Sequence, residues 1–154
     1  MSTKPSLTFS ARVIKSGVAE DEALVSPEPI GFLGGVDGQT GIVTEGGHFL
    51  EGACVAGRIL VFPTGKGSTV GSYVLYQLAT AGMAPAAIIN AESEPIVAVG
   101  AIISEIPMVD VTGDAAVARV ELYKDGKHIY SDYMSLYRFD DGWKIVGKIY
   151  HRHE

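Results

Sequence analysis

The chain has 154 residues, 47% of them apolar and 19% charged, and carries a net charge of −6. That length and composition suit one folded domain with one core and exclude a disordered chain. The acidic balance argues against non-specific nucleic-acid binding, because no excess of Lys and Arg is available to neutralise phosphates.

The opening MSTKPSLTF holds no long apolar run, so neither a signal peptide nor a membrane span is expected there. Nineteen glycines and seven prolines point to many tight turns between short elements. LTFSARVIK (7–15) and AEDEALV (19–25) each read as a strand, with Ser16-Gly17 as a turn between them. Residues 26–57 are rich in Gly, Pro and Asp and read as loop with short extended pieces. The single cysteine, Cys54, lies here; it permits no intrachain disulfide, which fits a reducing, cytoplasmic compartment. RILVF (58–62) is a compact apolar run between turn signals, the pattern of a buried strand. A helix is expected from about Thr69 to Ala81, because Val70, Tyr73, Val74, Gln77 and Leu78 share one face at helical spacing. Ser68 suits its N-cap, and Gly82 suits the left-handed position past its end. AAII (86–89) reads as a short strand. PIVAVGAII (95–103) is apolar throughout; a short buried helix is preferred, and periodicity alone leaves a strand open. Residues 106–109 read as a further strand.

After Asp110 glycine becomes scarcer and aromatics denser. AVARVEL (116–122), HIYSDYMSLYR (128–138) and WKIVGKIYH (143–151) read as three long antiparallel strands. Lys124-Asp125-Gly126-Lys127 and Asp140-Asp141-Gly142 would be the turns between them.

The stretch TGKGST (64–69) joins a strand to a helix, and its physics is specific. Gly65 and Gly67 permit backbone conformations closed to other residues and let a ligand approach the main chain. Helix-start amides carry partial positive charge, and Lys66 adds a full one, so the turn should favour a carboxylate or a phosphate. It is not a phosphate-binding loop of the Walker type, because Lys66 is followed by Gly67 and not by Ser or Thr. From spacing alone, Ser68 is either a helix cap or a reacting hydroxyl.

Four stretches carry a family resemblance: GFLGGVDGQTGIV (31–43), RILVFPTGKGSTVGSYVLYQL (58–78), IINAESEPIVAVGAIIS (88–104) and IPMVD (106–110). Over residues 9–110 the chain resembles the small, swivelling domain of the aconitase X family of hydro-lyases. The resemblance implies a swivelling β/β/α barrel that docks on a large subunit. That subunit would supply the metal or iron–sulfur ligands and most of the pocket, and this chain would bind no cofactor itself. The motif places the catalytic base at Ser68, with Lys66 as its electrostatic partner and Gly65, Gly67 and Thr69 shaping the oxyanion and substrate contacts. The substrate class implied is a hydroxy acid such as phosphomevalonate or a hydroxyproline-type compound.

Residues 111–154 resemble something else, the last three strands of the nuclear-transport-factor-like fold, in the branch of SnoaL-like and lumazine-binding proteins. DGWKIV (141–146) is the strongest carrier. Two units are therefore expected, 1–110 and 111–154, packed as one domain of the α+β/α/β class in which the C-terminal antiparallel three-strand meander completes or extends the barrel. A homodimer through that sheet is left open. So is an engineered or recombined chimera with no activity of its own, and so is a small-ligand site built from the tail's aromatics.

Other candidates have plainer readings. His151, His153 and Glu154 form an H-x-H-E at a terminus, and no metal site is assigned to them. His48 is expected to be structural or a subunit contact, His128 a strand-surface residue, Cys54 a small buried apolar group and Asp37 a turn residue. Glu92 and Glu94 are either helix-start caps or partner contacts. Tyr123, Tyr130, Tyr133, Tyr137 and Trp143 are read as sheet packing.

Overall fold

The computed structural model describes residues 11–111, 115–124, 127–139 and 142–152, with side chains over 11–111. Its main sheet has five strands: β1 (Arg12–Lys15), β2 (Ala23–Val25), β3 (Ile59–Phe62), β4 (Ala87–Asn90) and β5 (Met108–Asp110). Their order is β1-β5-β4-β3-β2. β2 to β5 run parallel, and β1 is antiparallel to β5. Two helices, α1 (Gly71–Thr80) and α2 (Pro95–Ile103), make the crossovers from β3 to β4 and from β4 to β5. Parallel neighbours require such crossovers; the third parallel pair, β2 and β3, is joined instead by the non-helical 26–57 segment. A separate three-stranded sheet is formed by β6 (Ala115–Lys124), β7 (Lys127–Phe139) and β8 (Gly142–Arg152), antiparallel and in that order. The predicted turns at Asp125-Gly126 and Asp140-Asp141 lie outside the described residues.

The core follows from the strand period of two. Leu60 and Phe62 on β3, Ile88 on β4 and Met108 on β5 are buried, while Ile59, Val61 and Ile89 between them are only partly so. Val74, Leu75 and Leu78 from α1 and Val97 and Ala101 from α2 belong to the same buried cluster. The 26–57 segment adds Ile30, Phe32, Val36, Val43, Leu50 and Val55 to it, and Phe32 meets Phe62 edge to face at 6.1 Å. This loop is therefore part of the core, pinned by bridges Ile30↔Gly65, Val36↔Val43 and Ile42↔Cys54.

Three expectations change. First, β1 and β2 are not neighbours turned back at Ser16-Gly17; they occupy opposite edges of the sheet. Second, α1 starts at Gly71, its N-cap is Val70 and no side chain caps it, so Ser68 is not the N-cap. Third, the buried face of α1 is Gly71, Ser72, Val74, Leu75 and Leu78, whereas Tyr73 and Val70 are exposed. Val74 and Leu78 face inward as expected, and the small residues Gly71 and Ser72 join them where α1 approaches its neighbours closely. A Cβ at Gly71 would lie 3.2 Å from Ile96 Cγ2 and 3.6 Å from Leu33 N.

The far end of α1 follows its sequence. Gly82 has φ +71°, and Met83 N–H returns to Leu78 O at 2.8 Å, a left-handed helix stop. The run 95–103 is a helix because Glu94 sits in extended geometry before Pro95 and accepts from Ile96 N at 2.8 Å and Val97 N at 2.7 Å. No helix among the described residues is long and apolar enough to cross a membrane.

Candidate active site

Parallel α/β sheets present their ligand-binding loops at the carboxyl ends of the strands. Here that edge carries the turn after β3, the loop after β4 and Asp110 at the end of β5. The turn 63–68 is tied on two sides. Lys66 N donates to Ile30 O at 3.0 Å, and Thr64 O accepts from Ile30 N at 3.3 Å. On the other side Pro63 O accepts from Ala91 N and Glu92 N, both at 3.0 Å. Gly65 is glycine for space: a Cβ there would strike the Glu94 carboxylate and lie 2.6 Å from Val97 Cγ2. Gly67 is glycine for conformation, at φ +95°.

Ser68 is exposed at the tip. Its Oγ accepts from Val70 N at 3.3 Å, and its carbonyl accepts from Gly71 N at 2.9 Å. Thr69, also exposed, gives its carbonyl to Ser72 Oγ at 2.9 Å. The first amides of α1 are thus already engaged. Between Lys66 and Gly71, whose amides are bonded, the amides of Gly67, Ser68 and Thr69 make no hydrogen bond among the described residues. Consecutive free amides in such a turn form a concavity for an anion. The open donors therefore sit one step before the helix rather than on it.

Lys66 corrects an expectation. Its Nζ pairs with Glu45 Oε1 at 2.5 Å, so its partner is a carboxylate and not the Ser68 hydroxyl. An ionised carboxylate outcompetes a neutral hydroxyl for an ammonium group.

The other sequence candidates resolve as follows. Glu94 is the cap of α2. Asp37 is a turn residue: Gln39 N and Thr40 N donate to its Oδ1 at 2.8 and 3.1 Å, and these bonds hold its carboxyl below the usual range. His48 is buried, with Leu50 N donating to its Nδ1 at 3.0 Å and its Nε2 3.2 Å from Pro29 O. That arrangement places the proton on Nε2 and makes the ring a strut for the 26–57 segment. Cys54 is half-buried, with Sγ 3.5 Å from Thr40 O. The side chains of His128, His151, His153, Glu154, Trp143 and the tail tyrosines lie outside the described residues. No group of three or more His, Cys, Asp or Glu among the described residues is placed to hold a metal.

Sequence reading missed one cluster. Asp110 is fully buried, and Arg12 donates to it twice, Nε to Oδ1 at 3.0 Å and a terminal nitrogen to Oδ2 at 2.5 Å. Ser93 Oγ and N donate to the same Oδ2 at 2.6 and 3.1 Å. The Arg12 hydrogen bond, helped by Ser93, outweighs burial and brings the Asp110 pKa down to about 2. The one signal available was an Asp closing an otherwise apolar strand.

This fold, with a glycine turn at the carboxyl edge of a parallel sheet, is found in known proteins. A family model described as the aconitase X swivel domain matches residues 8–130, and the chain belongs to that family. It is 63% identical over 105 residues to the phosphomevalonate dehydratase small subunit of Methanosarcina mazei, covering 68% of this chain and 73% of the relative. It is 50% identical over 133 residues to the same-named protein of Thermococcus kodakarensis, covering 79% of this chain and all of that one. The crystal structure of Thermococcus kodakaraensis aconitase X in its holo-form superposes with a TM-score of 0.65 at 47% identity, over 89% of this chain and 96% of that chain. The family match runs through Val109-Asp110-Val111 without a break, so a chimeric origin gains no support from these relatives.

Proposed function

We propose that the chain is the small subunit of a hydro-lyase that dehydrates a phosphomevalonate-like hydroxy acid, with Ser68 as the base and a large subunit completing the site. Identity to phosphomevalonate dehydratase small subunits supports the reaction class and the need for a partner. The observation that carries the residue assignment is the exposed Ser68 Oγ, held by Val70 N beside the open amides of Gly67, Ser68 and Thr69.

The chemistry fits that arrangement. Dehydration breaks a C–H bond next to a carboxylate and the C–O bond on the neighbouring carbon. The proton passes to the Ser68 Oγ alkoxide, the C–H electron pair becomes the new π bond and hydroxide departs; return of the serine proton to it releases water and regenerates the alkoxide. A serine hydroxyl is too weakly acidic to act as a base in water. It serves only where its anionic form is stabilised, and the Val70 N–H hydrogen bond contributes to that, with the rest left to groups of the large subunit. The free amides are placed for a substrate carboxylate or phosphate. The metal or iron–sulfur group that this reading assigns to the large subunit would supply Lewis acidity for the departing oxygen. Lys66 contributes to substrate binding only after it leaves Glu45.

The same reading takes residues 1–110 as the swivelling β/β/α barrel, with 111–154 extending it as a three-strand meander. β6 and β8 are edge strands, so sizing of the free chain also tests a homodimer through that sheet. The decisive experiment is Ser68→Ala in enzyme reconstituted with the large subunit. Turnover is expected to vanish while assembly persists; near-normal turnover would refute the assignment.

A further inference from the structure

Asn90 ends β4 in the interior, 1% exposed. Around it, the parallel strands follow one bonding rule at their carboxyl ends. Val25 faces Val61, and the next residue, Ser26, donates to Val61 O at 2.8 Å. Asp110 faces Asn90, and the next residue, Val111, donates to Asn90 O at 2.9 Å. Phe62 also faces Asn90, so the rule would send Ala91 N–H to Phe62 O. It goes elsewhere. Phe62 O accepts from the side-chain amide of Asn90 at 3.0 Å, and Ala91 N–H moves one residue on, to Pro63 O at 3.0 Å.

The Asn90 side chain therefore replaces a backbone donor and shifts the β3–β4 ladder by one residue. Pro63, which has no N–H of its own, becomes the last acceptor, and the chain leaves the sheet there toward Ser68. The arrangement has an energetic cost. Asn90 Oδ1 is buried and has no hydrogen-bond partner among the described residues. An apolar side chain of similar size would avoid that desolvation and return Ala91 N–H to Phe62 O. Stability therefore does not account for the amide, whereas the placement of the turn does.

We propose that Asn90 is a positioning residue for Ser68, acting through the displaced ladder that fixes the base of the 63–68 turn. The inference rests on the reading of Ser68 as the base. It is tested with Asn90→Leu in the reconstituted enzyme, with Ser68→Ala run alongside. Asn90→Leu should lower kcat by roughly 10- to 100-fold while KM and subunit affinity stay at wild-type values. A purely structural role would instead lower Tm and subunit affinity and leave the kcat of the assembled complex unchanged, which would overturn the proposal. If Ser68→Ala keeps turnover, the serine reading falls and this inference with it. If Ser68→Ala is inactive and Asn90→Leu keeps wild-type kcat, only this inference falls. Should Asn90→Leu not fold, NMR couplings across hydrogen bonds in the wild-type chain decide. Coupling of Asn90 Nδ2 to the Phe62 carbonyl and of Ala91 N to the Pro63 carbonyl is expected. Coupling of Ala91 N to the Phe62 carbonyl would overturn the displaced ladder.

Discussion

Lys66 Nζ lies 2.5 Å from Glu45 Oε1, so the cation beside the Ser68 turn is held by a carboxylate 21 residues upstream. The pair is well exposed, with 45% and 32% of the two side chains accessible. Ion pairs of that kind contribute little to folding, and Glu45→Gln should change the unfolding free energy by less than about 1 kcal/mol in urea titrations. Its effect on anion binding should be larger. With Lys66 released, inorganic phosphate should bind the turn more tightly at low salt, read by calorimetry, and the gain should disappear in Glu45→Gln/Lys66→Ala. Unchanged phosphate binding in Glu45→Gln would show that the pair does not restrain Lys66.

The Arg12–Asp110 pair predicts an acid limb in stability. The folded-state pKa of Asp110 is about 2, below its ordinary 3.8. As pH falls, the unfolded chain takes up this proton first, so the stabilisation present above about pH 4 is lost between pH 4 and pH 2. Asp110→Asn should lower stability at neutral pH by roughly 1–3 kcal/mol and flatten this limb. Arg12 is half exposed, which favours the lower end of that range. Denaturant midpoints measured down the acid range check both statements; a wild-type slope in the variant would remove Asp110 as its source.

Gly100 should resist the usual gain from placing alanine in a helix. That gain is about 1 kcal/mol. Against it, a Cβ at Gly100 would strike Leu75 Cδ1 and lie 3.1 Å from Leu75 Cβ and 3.2 Å from Ser72 Cα. Leu75 is fully buried and cannot swing clear. Overpacking of this kind costs about 1–3 kcal/mol, so Gly100→Ala should be net destabilising in thermal melts. A higher Tm would mean that α1 and α2 separate freely.

Glu94 and Gly65 should couple. Glu94→Ala removes the α2 cap and should cost about 1 kcal/mol. Gly65→Ala places a methyl group against the Glu94 carboxylate. It should cost less in the Glu94→Ala background than in wild type, because one of its two obstacles is gone and only Val97 remains. Strict additivity in a double-mutant cycle would argue that the two residues do not meet.

What could be read beforehand was what local pattern controls. The helix after the glycine turn, the strand 59–62 and the stop at Gly82 depend on neighbours within a few residues, and so does the cap at Glu94, one of two readings the sequence left open. The inward face of α1 was read in part: Val74 and Leu78 point inward as expected, but Val70 and Tyr73 do not, and Gly71 and Ser72 face the interior where backbones come close. Ser68 was misplaced by the two residues that separate it from the true cap, Val70. Arg12 and Asp110 lie 98 positions apart, and nothing local announces their meeting. The role of Asn90 was hidden for another reason: a side chain replacing a backbone donor leaves no trace in composition or periodicity.

The edge position of β1 bears on how the protein is made. Among the described residues β1 pairs with β5 alone, and Arg12 finds Asp110 only after 98 more residues have been synthesised. A nascent chain emerging from the ribosome must carry its first strand without a mate until the fifth appears, so the sheet closes late in translation. Chains stalled before Asp110 would expose the open side of β4 and become targets for chaperones or proteolysis.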